Sequence, residues 1–301
     1  MEVKKLKKDR IKDFIKHCKK HRNEVDESFL YDEDLKDFKP NDENPTYIVT
    51  DELGDIKATA SLIIDDYHKS GKRARFRIFH SEFNDISYYD MLLKAILKHR
   101  EGLDNYFIFI PMTNKKLNGI IKEMKFNVER YSFLLMRKDL DVSKYSFPKD
   151  YKIRAFRPGL DEEIYCEIRN KAFKNLKGND TPITPKMVKK ITEDKDYIEG
   201  GLMILLHKDK PVGLIRLADD EYENEPMINI GPFAIIPEYQ NKGLGRNLLR
   251  ASLKFAKEKS YEKTILCVNG ENERAKALYI QEGFKQVEGV ICYKYDLKNL
   301  K

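Results

Sequence analysis

Hydrophobic and polar positions in the second half of the chain predict alternating strands and helices. Apolar runs bounded by turn residues indicate strands, and apolar residues spaced three and four apart indicate amphipathic helices. The predicted strands are YKIRAF, GLMILLHK, PVGLIRLAD, MINIGPFAII, KTILCVN and GVICYKYDL. The predicted helices are PGLDEEIYCEIRNKAF, the segment from Gly245 to Ser260, and NERAKALYIQE, which Gly283 is expected to end.

The first half repeats this order of elements at an offset of about 156–158 positions. Asn114 matches Asn272 and Phe126 matches Phe284, while YSFLLMRKDL closes the first copy as VICYKYDL closes the second. We therefore predict an α+β fold with a mixed sheet, built as two tandem domains. Their predicted bounds are 1–140 and 151–301, joined by a linker at 141–150 (DVSKYSFPKD).

The amino-acid composition is that of a folded protein and does not alter the predicted fold. The chain has 301 residues, 41% of them hydrophobic, and no apolar run approaches the roughly 18–20 residues that span a bilayer. The N-terminal segment has no apolar core of a secretory signal, and the four cysteines are scattered, as in reduced cytosolic proteins. We expect a cytoplasmic protein with no membrane partner.

The net charge of +7 does not by itself indicate nucleic-acid binding. The 57 basic residues are interleaved with 50 acidic ones, and the basic runs near the N-terminus follow a helical pattern. A basic surface without a groove-reading motif is weak support for a nucleic-acid partner, which we do not expect. An acidic cofactor or substrate accounts for the same excess.

The segment PEYQNKGLGRNLL, residues 237–249, is the clearest candidate for a binding site. It leads from a strand through two glycines and two cations into a helix, which presents free N–H groups at the positive end of the helix dipole. Neither the P-loop nor the GxGxxG pattern fits, and a purely structural turn is the alternative. The matching stretch of the first copy, residues 82–87 (EFNDIS), has no glycine and carries two carboxylates, so we expect no anion site there.

This segment resembles the acetyl-coenzyme-A signature (Arg/Gln)-x-x-Gly-x-(Gly/Ala) of the GNAT superfamily of N-acyltransferases. Gln240, Gly243 and Gly245 occupy its defined positions. Downstream, NERAKALYIQEGF resembles the family's Asn-x-x-Ala-x-x-Leu-Tyr-x-x-x-Gly-Phe. The resemblance implies two GNAT-like domains, of which the second binds acetyl-CoA as a co-substrate and the first is degenerate.

The resemblance also assigns roles to individual residues. It implies that the Ile235 N–H stabilises negative charge on the thioester oxygen and that Tyr279 protonates the departing thiolate. The first copy has Ile121 in place of that tyrosine. Asn272 is expected to cap its helix and to contact the pantetheine arm. The implied cofactor-binding residues are Phe233, Ile235, Gln240, Asn241, Lys242, Gly243, Leu244, Gly245, Arg246 and Asn272.

The sequence leaves the general base open and does not predict a metal site. The position at which many family members carry a basic Glu is Asn229, which leaves Glu225, Glu223 or water as the general base. His17 and His21 have i,i+4 spacing, but no third ligand is evident in the sequence, so no metal is expected.

The sequence thus predicts an acetyl-CoA-dependent N-acetyltransferase that moves an acetyl group to a primary amine by direct attack on the thioester. The alternative is a non-catalytic acyl-CoA-binding sensor or interaction module. The acceptor is expected to be a small-molecule or peptide amine. Its identity, the oligomeric state and any ligand of the first domain are left open by the sequence.

Overall fold

The structure is a computed structural model that describes residues 2–83 and 85–298. Its strands are β1 (Val3–Lys5), β2 (Thr46–Thr50), β3 (Ile56–Ile63), β4 (Arg73–Ser81), β5 (Asn105–Pro111), β6 (Asn127–Arg137), β7 (Tyr151–Ala155), β8 (Tyr197–His207), β9 (Lys210–Tyr222), β10 (Glu225–Ile235), β11 (Thr264–Asn269) and β12 (Lys285–Asp296). Its α-helices are α1 (Ile11–His21), α2 (Asp32–Lys36), α3 (Asp66–Ser70), α4 (Ile86–Ile96), α5 (Lys115–Glu123), α6 (Glu162–Phe173), α7 (Pro185–Glu193), α8 (Leu244–Glu258) and α9 (Glu273–Gln281).

The chain forms two compact units. Unit 1 contains the residues up to Ser132 together with those from Glu288 onward, and unit 2 contains Phe133–Val287. Among the described residues, no helix combines the length and the apolar character that crossing a bilayer requires.

In unit 1 the strand order is β1-β2-β3-β4-β5-β12. Neighbouring strands are antiparallel except β4 and β5, which are parallel. Helices α1 and α4 bury their apolar faces in a core that contains the fully buried Phe14, Phe79 and Leu92. Tyr293 of β12 belongs to the same core and donates a hydrogen bond to Asn118 Oδ1 at 2.9 Å.

In unit 2 the strand order is β7-β8-β9-β10-β11-β6. The pairs β7–β8, β8–β9 and β9–β10 are antiparallel, whereas β10 is parallel to β11. The core includes the buried Leu214, Leu248 and Phe284, which come from β9, α8 and the segment after α9. Gly283 follows α9 with a φ of +85°, so the predicted end of this helix is confirmed.

The predicted mixed-sheet α+β fold and the repeated order of elements are confirmed. The two units differ from the predicted halves in their closing strands: Phe133–Arg137 of β6 belong to unit 2, and β12 belongs to unit 1 from Glu288 onward. The predicted bounds at 140 and 151 therefore do not coincide with the units. The strands that close the two copies in sequence thus each place residues in the unit of the other copy.

Candidate functional site

The glycine segment forms the entry to α8. Gly243 is the N-cap with a φ of +73°, in the left-handed region that glycine adopts without strain, and Asn241 has a φ of +62°. No side chain caps this end of α8, so the first N–H groups of the helix are left for a ligand. A Cβ at Gly243 would meet no heavy atom within 4 Å, which shows that the space in front of the helix is open.

Gln240 fixes this segment to the end of β10. Its Nε2 donates to the Ile235 carbonyl oxygen at 2.7 Å. Arg274, on α9, donates to Gln240 Oε1 at 2.9 Å and to Asn241 Oδ1 at 3.1 Å. The guanidinium of Arg274 therefore orders two residues of the predicted signature, a role that its position in the sequence did not reveal.

Strands β10 and β11 separate after a short paired stretch. Their register covers Ile228↔Thr264 and Asn229↔Ile265, and β10 continues beyond it to Ile235. A bulge lies between Ile230 and Phe233, at the Gly231-Pro232 peptide. The separation leaves an edge of β10 without a strand partner, which suits an extended arm that pairs with backbone groups.

The Ile235 N–H faces this open edge. The next residue, Ile236, donates its N–H to the Val212 carbonyl oxygen at 3.0 Å, on the β9 side. Because successive N–H groups of a strand point to opposite sides, the Ile235 N–H points away from β9. Gly213 lies opposite Ile235 on β9, and a Cβ there would come within 2.6 Å of Ile235 Cδ1 and 3.0 Å of the Ala234 carbonyl oxygen. Gly213 thus sets the position of this backbone.

Tyr279 lies on α9 beside β10. Its side chain is buried, and its ring centroid is 6.3 Å from that of Phe233. Within the described residues its hydroxyl has no hydrogen-bond partner. Burial raises the pKa of Tyr279 above that of an ordinary phenol, so the group is protonated at neutral pH and available to donate. In unit 1, the equivalent Ile121 is fully buried and apolar.

Three other predicted cofactor-binding residues differ in their positions and contacts. Asn272 is the N-cap of α9 and accepts from the Ala275 N–H at 3.2 Å, which confirms its capping role. Leu244 is buried and offers a ligand only its backbone. Lys242 Nζ lies 5.0 Å from the centroid of the Tyr239 ring.

Arg246 is engaged within unit 2. Its guanidinium donates to Glu282 Oε1 at 2.6 Å and to Gln281 Oε1 at 2.5 Å. These contacts link the first turn of α8 to the end of α9. The structure thus gives Arg246 a structural role beside the cofactor contact that the resemblance implies.

The candidate bases lie near the start of β10. Glu225 forms an ion pair with Lys263, whose hydrogen bond and charge lower the pKa of Glu225 and make it a weaker proton acceptor. Glu223 lies in the β9–β10 turn with a φ of +54°. Asn229 donates to Asp220 Oδ2 at 2.7 Å, so the hairpin register brings an exposed carboxylate to the position that lacks a base. In the sequence, Asp220 is marked only by the acidic run DDEY at residues 219–222.

The equivalent stretch of unit 1 has no free helix end. Asp85 caps α4 by accepting from the Ser87 N–H at 2.8 Å, which places a carboxylate where an anion would bind. Glu82 accepts from Lys20 at 2.6 Å and lies 3.3 Å from Lys57 Nζ. Asn84 of this stretch lies outside the described residues. The contacts agree with the prediction that unit 1 lacks the anion site.

Unit 1 contains a cluster that the sequence did not predict. His80, on β4, joins His17 and His21 as a third candidate ligand, which was not evident in the sequence. Burial, reinforced by the neighbouring imidazoles, lowers the pKa of His17 to about 3 and that of His80 to about 4. All three rings are buried.

Comparisons with known proteins agree with this geometry. Residues 165–284 match the model of the acetyltransferase (GNAT) family. A mycothiol acetyltransferase of Saccharomonospora viridis is 25% identical over 156 residues, which cover 50% of this chain and 51% of the relative. One from Arthrobacter sp. (strain FB24) is 23% identical over 167 residues, with 55% and 52% covered. The chain spans about half the length of the curated relatives it matches.

Solved structures share the fold across almost the whole chain. A GCN5-related N-acetyltransferase from Sphaerobacter thermophilus superposes with a TM-score of 0.70 at 15% identity, covering 98% of this chain and 95% of that one. A tandem GNAT protein from the clavulanic acid biosynthesis pathway gives a TM-score of 0.68 at 12% identity, with 98% of both chains covered. At these identities the likeness establishes the fold alone.

Proposed function

We propose that unit 2, in which residues 165–284 match the model of the acetyltransferase (GNAT) family, transfers the acetyl group of acetyl-CoA to a primary amine. The observation that carries the proposal is the presence of two openings in unit 2. One is the uncapped start of α8 at Gly243, and the other is the edge of β10 exposed by its separation from β11.

The start of α8 receives the pyrophosphate of acetyl-CoA. The backbone N–H groups at Gly243, Leu244 and Gly245 supply donors, and the helix dipole favours the negative charge. At Gly245 a Cβ would lie 3.5 Å from Phe233 Cζ, so the missing side chain is not demanded by the protein itself. It leaves room for phosphate oxygens. Lys242 adds a formal positive charge beside them.

The open edge of β10 receives the pantetheine arm. Backbone groups around Phe233 pair with it, and the Ile235 N–H donates to the thioester oxygen, where negative charge develops as the amine attacks. Tyr279 donates its phenolic proton to the departing sulfur. Because the attack is direct, holding amine and thioester in line contributes much of the acceleration.

The proton released by the amine passes to Asp220 directly or through water. Asp220 is exposed and is held by Asn229 at the start of β10, whereas Glu225 is committed to Lys263. The acceptor is a small-molecule or peptide amine. The names of the relatives do not determine it, because the chain covers about half of their length.

The proposal is tested by thermal unfolding with acetyl-CoA, ATP and NAD in parallel. A ligand present at a hundred times its Kd stabilises the folded state by about 2.7 kcal/mol. We expect acetyl-CoA to raise the unfolding midpoint of the wild type and to have no effect on Gly245→Glu, whose carboxylate repels the pyrophosphate. Gly119→Glu on α5 is the control, because it places the same carboxylate on a helix of unit 1 at a position where a Cβ meets no atom within 4 Å, and it should keep the shift.

Turnover is then measured as thiol release with a panel of primary amines. Thiol release that depends on an amine supports the transferase. Stabilisation by acetyl-CoA without turnover of any amine would favour the acyl-CoA sensor, and stabilisation by another nucleotide alone would overturn the assignment of the α8 site.

A further inference from the structure

The three imidazoles of unit 1 converge on one point. His17 and His21 lie one turn apart on α1, and His80 lies near the end of β4. One ring nitrogen from each lies within 4.8 Å of the other two. The separation between His17 Nε2 and His80 Nδ1 is 3.2 Å. Two nitrogen ligands of a tetrahedral zinc ion at 2.0–2.1 Å are about 3.3 Å apart.

The hydrogen bonds around these rings leave lone pairs facing one another. His17 Nδ1 lies 3.1 Å from the Ile56 carbonyl oxygen, which only accepts, so Nδ1 carries the proton and Nε2 carries a lone pair. His80 Nε2 lies 3.2 Å from Glu24 Oε2, so it carries the proton and Nδ1 has a lone pair. The lone pairs of His17 Nε2 and His80 Nδ1 then meet at 3.2 Å. A cation between them resolves the repulsion.

The third ring packs closely against the other two. His21 faces a carboxylate at each nitrogen, Glu24 Oε1 at 2.7 Å and Glu82 Oε1 at 2.9 Å. The rings of His21 and His80 are stacked with centroids 4.1 Å apart. The three rings are thus held together as ligands of a single ion would be.

We propose that His17, His21 and His80 of unit 1 bind a zinc ion. His17 Nε2, His80 Nδ1 and His21 Nε2 supply three nitrogens. Three imidazoles form a set that suits zinc better than the oxygen-seeking magnesium or calcium.

The groups behind these ligands have the arrangement expected around a metal. The Ile56 carbonyl oxygen accepts from His17, and the two oxygens of Glu24 accept from His80 and His21. Such acceptors fix the tautomer and orientation of ligating imidazoles. Glu82, which lies beside His21, also pairs with Lys20 and Lys57. The Glu24 side chain is 55% exposed, so the cluster lies close to the protein surface.

An ion held by these three histidines ties α1 to the end of β4. None of its ligands belongs to the proposed acetyl-CoA site, and the inference is independent of the proposed function.

The test uses untagged full-length protein, freed of metal by dialysis against a chelator and then equilibrated with zinc. We expect one zinc ion per chain by metal analysis, and visible absorption typical of tetrahedral cobalt when Co²⁺ replaces it. Zinc should raise the unfolding midpoint. His80→Gln should lose stoichiometric binding and the shift, whereas His68→Gln, which removes a buried histidine on α3 that is paired with Asp65, should keep both.

Failure of the wild type to take up zinc would overturn the proposal, as would equal binding by His80→Gln. If His80→Gln does not fold, Glu24→Gln decides. Loss of a carboxylate behind ligating imidazoles weakens metal binding by about 10–100-fold. Unchanged zinc affinity of Glu24→Gln would then reject the site.

Discussion

Replacing Glu282 by Gln should destabilise unit 2 more than the same replacement of an exposed glutamate. The Glu282 side chain is 4% exposed at the end of α9 and accepts three hydrogen bonds from α8. Arg250 donates Nε to Oε2 at 2.7 Å and Nη2 to Oε1 at 2.8 Å, and Arg246 donates Nη1 to Oε1 at 2.6 Å. These contacts join the helix of the glycine segment to the helix of Tyr279.

The magnitude follows from the charge that Gln lacks. A hydrogen bond to a charged group contributes about 1.5–3 kcal/mol, and breaking a buried ion pair costs about 3–5 kcal/mol. The Arg250 and Arg246 side chains are 20% and 37% exposed, so water recovers part of this loss. Gln also keeps one acceptor oxygen. We expect a net loss of about 2–3 kcal/mol, or about 4–12 °C in the unfolding midpoint of a unit of this size.

The assay is thermal unfolding followed by circular dichroism at pH 7, with Glu258→Gln as the control. Glu258 pairs with Lys254 at 3.7 Å on the exposed face of α8, and such pairs contribute about 0.3–0.5 kcal/mol. Equal midpoints for Glu282→Gln and Glu258→Gln would refute the reasoning.

The pH dependence gives a second check. Burial alone raises the pKa of Glu282, but the hydrogen bonds and charges of Arg250 and Arg246 outweigh it and leave the pKa lowered. The stabilisation is therefore complete above the unfolded pKa of about 4.3 and is lost as pH falls through the folded value. The difference between wild type and Glu282→Gln should shrink below pH about 4. A difference of constant size down to acid unfolding would contradict the charge argument.

Four further substitutions test the site directly. Gly243→Ala should lower the free energy of unfolding by about 1–2 kcal/mol because Gly243 has a positive φ, whereas Gly245→Ala, inside α8, should raise it by about 0.5–1 kcal/mol. Denaturant titration measures both values, and equal effects would contradict the geometry. Tyr279→Phe should lower kcat about 10²–10⁴-fold with little change in KM, and the raised pKa of Tyr279 predicts no alkaline loss of wild-type kcat from this group below pH about 10. Gly213→Ala should cost about 1–3 kcal/mol by overpacking against Ile235 and should lower kcat as well; a fully active, equally stable variant would show that this backbone is not held in place by Gly213.

The order of elements and the glycine-containing start of α8 were readable from local patterns. Helical spacing, turn residues and the glycine segment each depend on neighbours in sequence, and Asn272 and Gly283 take the cap positions predicted for them. The roles of Tyr279 and Ile235 remain predictions, since they depend on a bound substrate.

Long-range pairings decided the rest. Arg274 and Asp220 reach the site through α9 and the β9–β10 register, and His80 meets the α1 histidines only because β4 ends beside that helix. The local sequence around each of these residues carries no sign of its partner, since the partners lie far away along the chain.

The closing strands show the same division. The repeat determined that β6 and β12 are strands, because their apolar alternation fixes that much locally. It did not determine which sheet each joins, because equivalent strands offer nearly the same hydrogen bonds and apolar faces to either. Only the tertiary structure, in which Tyr293 packs in the core of unit 1 and Leu135 in that of unit 2, settles that choice.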